Sequence, residues 1–514
     1  PEKFMQELYL PTFKSAVEQG ALTLMINSGD VNGVPGHMNY NLLTKTLKQD
    51  WGFQGFTVSD WEDFVMLHTV HGTAEDLYDA VVKGFNAGVD MSMVPYNPQY
   101  KEYLKLMTKG VEEGRITKER LDDAVRRILR VKMLVGLFDK NGNQAKKYPD
   151  FGSEKHQKLA LNTALESITL LKNKDNVLPL DKNTKVLIAG PTSNNLIFLN
   201  GAWTHTWQGA DASYNNKNAK NIREAFVEKL GKENCLFSQG AELYVEDAFE
   251  TSRLVNPEDF TTKAKQSDVI VLCLGEYPST EKPGDIRSLN LDPAQVELAK
   301  LAYATNKPVV LVLVEGRPRI IRTIVDDAAA VVQAYLPGDY GGNALVQLLF
   351  GEENFSGKLP YSYPRYDGVL EFYDHPKSTA RGKSNKFDAY NPQWNFGFGL
   401  SYSKLVYSDL TTNVTEIMEG DSIQIQVKVT NQSDRSVKEV VQLYIADEYA
   451  SMVPANKRLK GFEKISLAAK ETIIVDFYIS SENLKFVDVN NEWLAEKGSF
   501  KVMIGALSTK FELK

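Results

Sequence analysis

Along its alternation of apolar and polar positions, the chain changes rhythm twice. From residue 1 to about 135, helical and strand periods take turns: a helix "EKFMQELYLPTFKSAVEQG", a strand "ALTLMINS", a helix "YNLLTKTLKQDWG", a strand "GFTVSD", a helix "TAEDLYDAVVKGFNAG" and a strand "VDMSMV". Strands separated by helices predict a parallel sheet built from βα units. The stretch "TKERLDDAVRRILRVKMLVGL" closes this region as an amphipathic helix, with Leu121, Val125, Ile128, Leu129 and Met133 near helical spacing. After a polar connector, "FDKNGNQAKKYPDFGSEK", come "KVLIAG", "DVIVLCLGE", "PVVLVLVEG" and "AAAVVQAYLPG", continuous apolar runs expected of strands buried on both faces. They predict a second α/β domain ending near Pro364. From Arg365 to Gly399 no period is visible, and a long connector on the surface is expected. Beyond it "DSIQIQVKVT", "VKEVVQLYIAD", "TIIVDFYIS" and "GSFKVMIG" alternate apolar and polar residues, as half-buried antiparallel strands of a β-sandwich do.

Composition narrows the function without naming it. The 514 residues, 43% of them hydrophobic, can bury several cores. The longest apolar runs, such as Val309 to Val314, fall far short of a membrane span, and the first residues lack the form of a signal peptide. A net charge of −7 without blocks of like charge gives no footprint for nucleic acid. Of the two cysteines, Cys273 lies inside an apolar run, where a buried thiol is expected rather than a disulfide to Cys235.

Two acidic positions stand out. Asp60 ends the strand "GFTVSD", and active sites of parallel α/β folds collect at the carboxyl ends of strands; an Asp capping the next helix is the alternative. Trp61 beside it offers a flat face for a ring. In "GEYPSTEKPGD", Glu276, Glu281 and Asp285 follow a buried strand in a loop that Pro278, Pro283 and Gly284 keep out of helix. Trp203 and Trp207 of "GAWTHTWQG" share a face if helical and form an aromatic slot if not; Gly201 and Gly209 favour the loop. Two carboxylates brought together from different domains suit glycoside hydrolysis. "VLIAGPTSNN" lacks the glycine pattern of a dinucleotide site, and His68 and His71 lack the partners of a metal site.

Seven segments, in order, resemble family 3 glycoside hydrolases: "NGVPGHMNYNLLTKTLKQDWGFQGFTVSDW", "SITLLKNKDNVLPL", "GAWTHTWQG", "GEYPSTEKPGD", "NFSGKLPYSYP", "WNFGFGLSY" and "VVQLYIAD". The resemblance is to β-glucosidases, nearest to those of gut Bacteroidetes. It implies a multidomain α/β plus β chain: the C-terminal portion of a (β/α)₈ barrel (1–140), a linker (141–160), an α/β sandwich domain (161–364), a connector (365–400) and a fibronectin type III-like domain (401–514). It implies a retaining, exo-acting β-glycosidase of plant β-gluco-oligosaccharides, with a β-xylosidase or a non-catalytic carbohydrate-binding fragment as alternatives. Asp60 is then the nucleophile and Glu281 the acid/base, with Glu276 as fallback. Trp61 and Trp207 clamp the next sugar outward, and Trp203 shapes the same slot. An oligosaccharide is the expected partner, no metal or organic cofactor is needed, and a periplasmic or secreted location is expected. Ser28 in "MINSGDVNG" stands where many relatives carry Tyr. If Asp60 ends the seventh barrel strand, strands one to five lie upstream, roughly 150 residues at about 30 per unit. The chain is then expected to be the C-terminal part of a longer enzyme, with an open three-stranded edge and negligible activity alone.

Overall fold

The architecture was read from a computed structural model, which describes residues 2–95, 99–139, 148, 150–246, 249–379 and 390–514. The chain forms two compact units, Pro1–Pro149 with Phe486–Trp493, and Asp150–Lys485 with Leu494–Lys514.

The first unit contains the three expected parallel strands, in the order Thr23–Met25, Phe56–Trp61, Met91–Met93. The helices Asn41–Asp50, Leu77–Ala87 and Lys118–Leu134 form where helical periods were read, and Asp63–Thr69 and Gln99–Glu112 add two that the pattern did not show. At the amino end of the central strand, a buried charge network ties strand to helices. Lys48 Nζ donates to Asp90 Oδ1 (2.7 Å), Arg120 donates to the same oxygen (2.8 Å), and the Thr57 amide donates to Asp90 Oδ2 (3.0 Å). Burial pulls the Lys48 ammonium down to about 8. The amphipathic helix Lys118–Leu134 is present; its buried residues are Ala124 and Val131, while Val125, Leu129 and Met133 are exposed. Periodicity defines a stripe, but only a neighbouring element buries it.

In the second unit the polar linker expected over 141–160 gives way to a helix, Glu154–Ser167; its positions 141–147 and 149 lie outside the described residues. A six-stranded sheet follows. Its five parallel strands, in chain order Val186–Ala189, Cys235–Ser238, Val269–Gly275, Val309–Val314 and Ala330–Gln333, lie side by side as 2-1-3-4-5, with Thr169–Asn173 antiparallel at the edge. Alternate residues of one strand enter opposite cores: Val310, Val312 and Val314 face one, Val309, Leu311 and Leu313 the other. Helices cover both faces, which is why these strands read as unbroken apolar runs. A hairpin, Gly240–Glu246 with Phe249–Val255, has no counterpart in the pattern. Cys235 and Cys273 are both buried and free.

The connector is more than surface. Its aromatics pack, Tyr373 on Phe396 and His375 on Tyr390 with ring centroids 4.2 Å apart, and His375 is buried. Residues 380–389 lie outside the described ones. The sandwich joins three-stranded and five-stranded sheets, and on Ser422–Asn431 the alternation reads directly as burial of Ile423, Ile425, Val427 and Val429. Lys438 and Lys464 of the sandwich both pair with Glu166 of the first α/β helix.

Candidate active site

Asp60 sits near the carboxyl end of the central strand of the first unit. The strand runs one residue further than expected, because Trp61 pairs with Met93 and the Glu62 amide donates to the Met93 carbonyl (3.0 Å). Ser59 fixes the main chain here: its buried hydroxyl accepts from the Met93 amide and donates to the Asp60 carbonyl, both at 2.8 Å. Asp60 does not cap the following helix, whose N-cap position belongs to Glu62; Asp60 Oδ1 instead accepts the amide of Trp61 (2.6 Å). Trp61 is half exposed.

Ser28, and two residues that motif reading passed over, Asp63 and His37, lie beside Asp60. Ser28 Oγ lies 3.5 Å from Asp60 Oδ2 and 3.0 Å from Asp63 Oδ2. A hydroxyl has one proton to give, so the shorter contact sets its donor direction toward Asp63. Asp63 is 2% exposed, and burial pushes its carboxyl up to about 6. His37, equally buried, places Nε2 3.1 Å from Asp63 Oδ2 without the alignment of a hydrogen bond, and burial lowers its imidazole to about 4. His71 Nε2 donates to the Ser28 carbonyl (3.1 Å), and His68 Nδ1 to that of Ala74 (3.0 Å). Both histidines thus hold backbone, and among the described residues no group of three His, Cys, Asp or Glu side chains could hold a metal.

The second group of predicted residues lies in the α/β domain of the other unit. In a 2-1-3-4-5 sheet, the connections leaving strands 1 and 3 turn to opposite sides, and the crevice between them is where such folds bind ligands. Strand 1 ends at Ala189 and strand 3 at Gly275, so the chain after the first leads to "GAWTHTWQG" and after the second to "GEYPSTEKPGD". Gly190 opens this crevice at φ 97°, where a Cβ would stand 2.0 Å from the Cys273 carbonyl oxygen.

Trp203 and Trp207 lie in a loop, as the flanking glycines suggested; the Trp203 amide donates to the Trp207 carbonyl (2.9 Å), and both rings are exposed. Trp207 Nε1 donates to Glu281 Oε1 (3.1 Å), so residues 74 positions apart meet at the crevice. Glu276 has a different environment. It is 2% exposed, and its oxygens take Arg317 Nη2 at 2.8 Å, Arg319 Nη1 at 3.3 Å and the Arg317 amide at 2.9 Å. Two guanidiniums and a main-chain amide thus converge on the buried Glu276, whereas Glu281 is exposed and takes a single indole N–H. Beneath it Glu315 is wholly buried, taking the Tyr363 hydroxyl (3.0 Å) and the Arg319 amide (3.2 Å), and burial raises its carboxyl to about 8. The arginines of "GRPR", directly after an apolar strand, were the sequence signal for this clamp.

A parallel α/β unit with a strand-end Asp, and a doubly wound domain presenting a Trp–Glu pair at its switch point, define the class to which the comparisons assign the chain. The Glycosyl hydrolase family 3 N terminal domain matches residues 1–131, the C-terminal domain of the same family 168–402, and a Fibronectin type III-like domain 439–508. The chain belongs to glycosyl hydrolase family 3. It is 36% identical to a lysosomal beta glucosidase of Dictyostelium discoideum, over 98% of this chain and 62% of that protein. It is 33% identical to a periplasmic beta-glucosidase of Salmonella typhimurium, over 98% and 68%, and 34% identical to a putative beta-xylosidase of Formosa agariphila, over 100% and 67%. The chain therefore spans about two thirds of these relatives. Among solved structures, a β-glucosidase from Erythrobacter marinus superposes with TM-score 0.89 at 30% identity, covering 100% of this chain and 71% of that one. One from Listeria innocua in complex with glucose does so with TM-score 0.88 at 29% identity, over 100% and 70%.

Proposed function

We propose that the protein carrying this chain is a retaining, exo-acting β-glycosidase, a β-D-glucosidase releasing glucose from the non-reducing end of plant-derived β-gluco-oligosaccharides. The observation that carries the reading is the Glu281 carboxylate at the switch-point crevice, exposed and with an indole N–H on one oxygen. In this reading Asp60, ionised, attacks the anomeric carbon while Glu281 protonates the departing oxygen. Glu281 then takes a proton from water, which displaces Asp60 and releases the sugar. Trp61, Trp207 and Trp203 offer faces for the sugar on the leaving side. The steps move only protons and the glycosyl group, so no metal or organic cofactor is required. A periplasmic or secreted location belongs to the same proposal, and the periplasmic and lysosomal names of two relatives support it.

A β-xylosidase is the second reading, favoured by two Formosa agariphila relatives bearing that name. Nitrophenyl β-glucoside and β-xyloside, given to the full-length protein, separate the two by kcat/KM. The glucosidase reading expects the glucoside to be preferred; a preference for the xyloside transfers the assignment. A protein that binds both glycosides and releases no chromophore is a carbohydrate-binding module instead.

A further inference from the structure

Between Trp207 and Gly209, Gln208 makes a contact of a different kind from its aromatic neighbours. Its side-chain Oε1 accepts the Thr280 amide at 2.9 Å, and its Nε2 donates to the Thr280 carbonyl at 3.2 Å. Both main-chain polar groups of one residue are thus paired with one primary amide, a two-point clasp that fixes orientation as well as distance. Thr280 directly precedes Glu281, and Glu281 has φ 57° and ψ −153°, a region that residues other than glycine occupy only when their surroundings hold them there. On the far side the hold is visible too: the Gly284 amide donates to the Glu281 carbonyl (2.8 Å), and Arg317 Nη1 donates to the Gly284 carbonyl. The clasp has a firm base. Asn200 Nδ2, itself buried, donates to the Gly209 carbonyl (3.0 Å), and at Gly209 a Cβ would meet the Gly201 carbonyl oxygen at 2.2 Å.

We infer that Gln208 is a positioning residue for the acid/base: by clasping Thr280 it holds Glu281 in the strained backbone conformation that aims its carboxyl into the crevice. The inference rests on the proposed role of Glu281. Trp207 cannot take over this task, because its single N–H reaches the carboxylate and leaves the backbone free to turn. Nor can a shorter amide, since Asn at this position falls one methylene short of Thr280. A carboxylate of equal length keeps the acceptor for the Thr280 amide but sets a second acceptor against the Thr280 carbonyl, opening half of the clasp.

The test uses kcat/KM on the full-length protein, which reports the glycosylation step, across β-glucosides whose leaving groups range from 2,4-dinitrophenol to simple alcohols. General acid catalysis contributes about 10²- to 10⁴-fold, and only where the leaving group needs a proton. Gln208→Ala and the isosteric Gln208→Glu are expected to lower kcat/KM by about tenfold or more on alkyl glucosides and by less than about threefold on the dinitrophenyl glucoside. The isosteric variant keeps the test open if the alanine variant does not fold. Glu281→Ala is the control. If it shows the leaving-group dependence and the Gln208 variants lower all substrates equally or none, the clasp is structural only and the inference is overturned. If Glu281→Ala itself lowers all substrates equally, the acid/base reading fails and this inference fails with it.

Discussion

The buried pair beside Asp60 makes an unusual pH prediction, because its two members oppose one another. The Asp63 carboxyl is raised from an ordinary 3.8 to about 6, and His37 is lowered from 6.5 to about 4, each chiefly by burial. The titratable groups facing them are Asp60 and His71, which contribute less than burial does. Asp63 keeps in the folded state a proton that the unfolded chain gives up above 3.8. Its stabilisation is therefore present at low pH and lost as pH rises through about 6. His37 behaves in the opposite sense: its stabilisation is present above 6.5 and lost as pH falls through about 4. At about 1.4 kcal/mol per pH unit of displacement, each effect is worth about 3 kcal/mol in full. Between pH 4 and 7 the two slopes nearly cancel, so the wild-type unit should change little. Single variants uncover the hidden slopes. His37→Gln leaves Asp63 alone and should lose about 2 to 3 kcal/mol of stability from pH 4 to 7, whereas Asp63→Asn should gain about as much over the same interval. Since the chain has two units, the readout should be local: hydrogen exchange of the Phe56–Trp61 amides in the full-length protein, corrected for intrinsic rates. Slopes of the same sign in both variants, or a steep slope in the wild type, would refute the reasoning.

Three further outcomes follow from the sites. Asp60→Asn should abolish turnover with the fold intact, and a 2-deoxy-2-fluoroglycoside should label Asp60; a label on another carboxylate removes it as nucleophile. Trp207→Ala should raise KM for disaccharides about fivefold, corresponding to about 1 kcal/mol of stacking, while sparing small aryl glucosides. Trp207→Phe, which keeps a ring but not the N–H to Glu281, should recover most of that KM; an equal loss in both variants would show that stacking is not the contribution. Glu276→Gln should destabilise the second unit by about 3 kcal/mol or more in thermal unfolding, since it leaves the Arg317 and Arg319 guanidiniums without their counter-charge. A leaving-group-dependent activity loss at unchanged stability would instead return Glu276 to the chemistry.

Much of this was legible locally. Unbroken apolar runs gave the parallel strands because helices cover both faces, and strict alternation gave the sandwich because each strand has one wet face. The place of Asp60 near a strand's carboxyl end was legible because a carboxylate interrupts a β-forming run, and the tryptophan loop because Gly201 and Gly209 bracket it. What escaped depends on partners distant in sequence. Gln208 and Thr280 are 72 residues apart, and neither has a local pattern that announces the other. The strand order 2-1-3-4-5, which brings the two loops to one crevice, is a property of the assembled sheet. Val125, Leu129 and Met133 show the same limit: their spacing describes a helix face but says nothing of what lies against it.

The two glutamates of "GEYPSTEKPGD" show why residue type and loop position together cannot assign chemistry. Both follow the same buried strand, and on sequence each could donate a proton. Glu276 is the first residue past the strand, so the neighbouring parallel strand must deliver its own exit beside it, and that exit is Glu315–Gly316–Arg317–Pro318–Arg319. The Arg317 amide and two guanidiniums then converge on one carboxylate, which stabilises its charge and fixes its place. Five residues on, the chain has left the sheet, and Glu281 is held by its backbone instead: Thr280 by Gln208, and its own carbonyl by Gly284. Its carboxylate takes the Trp207 N–H on one oxygen and is exposed to solvent. A group that must gain and lose a proton in each cycle needs a fixed main chain and a lightly bound head, and that difference between positions 281 and 276 is what the proposal of Glu281 as acid/base rests on.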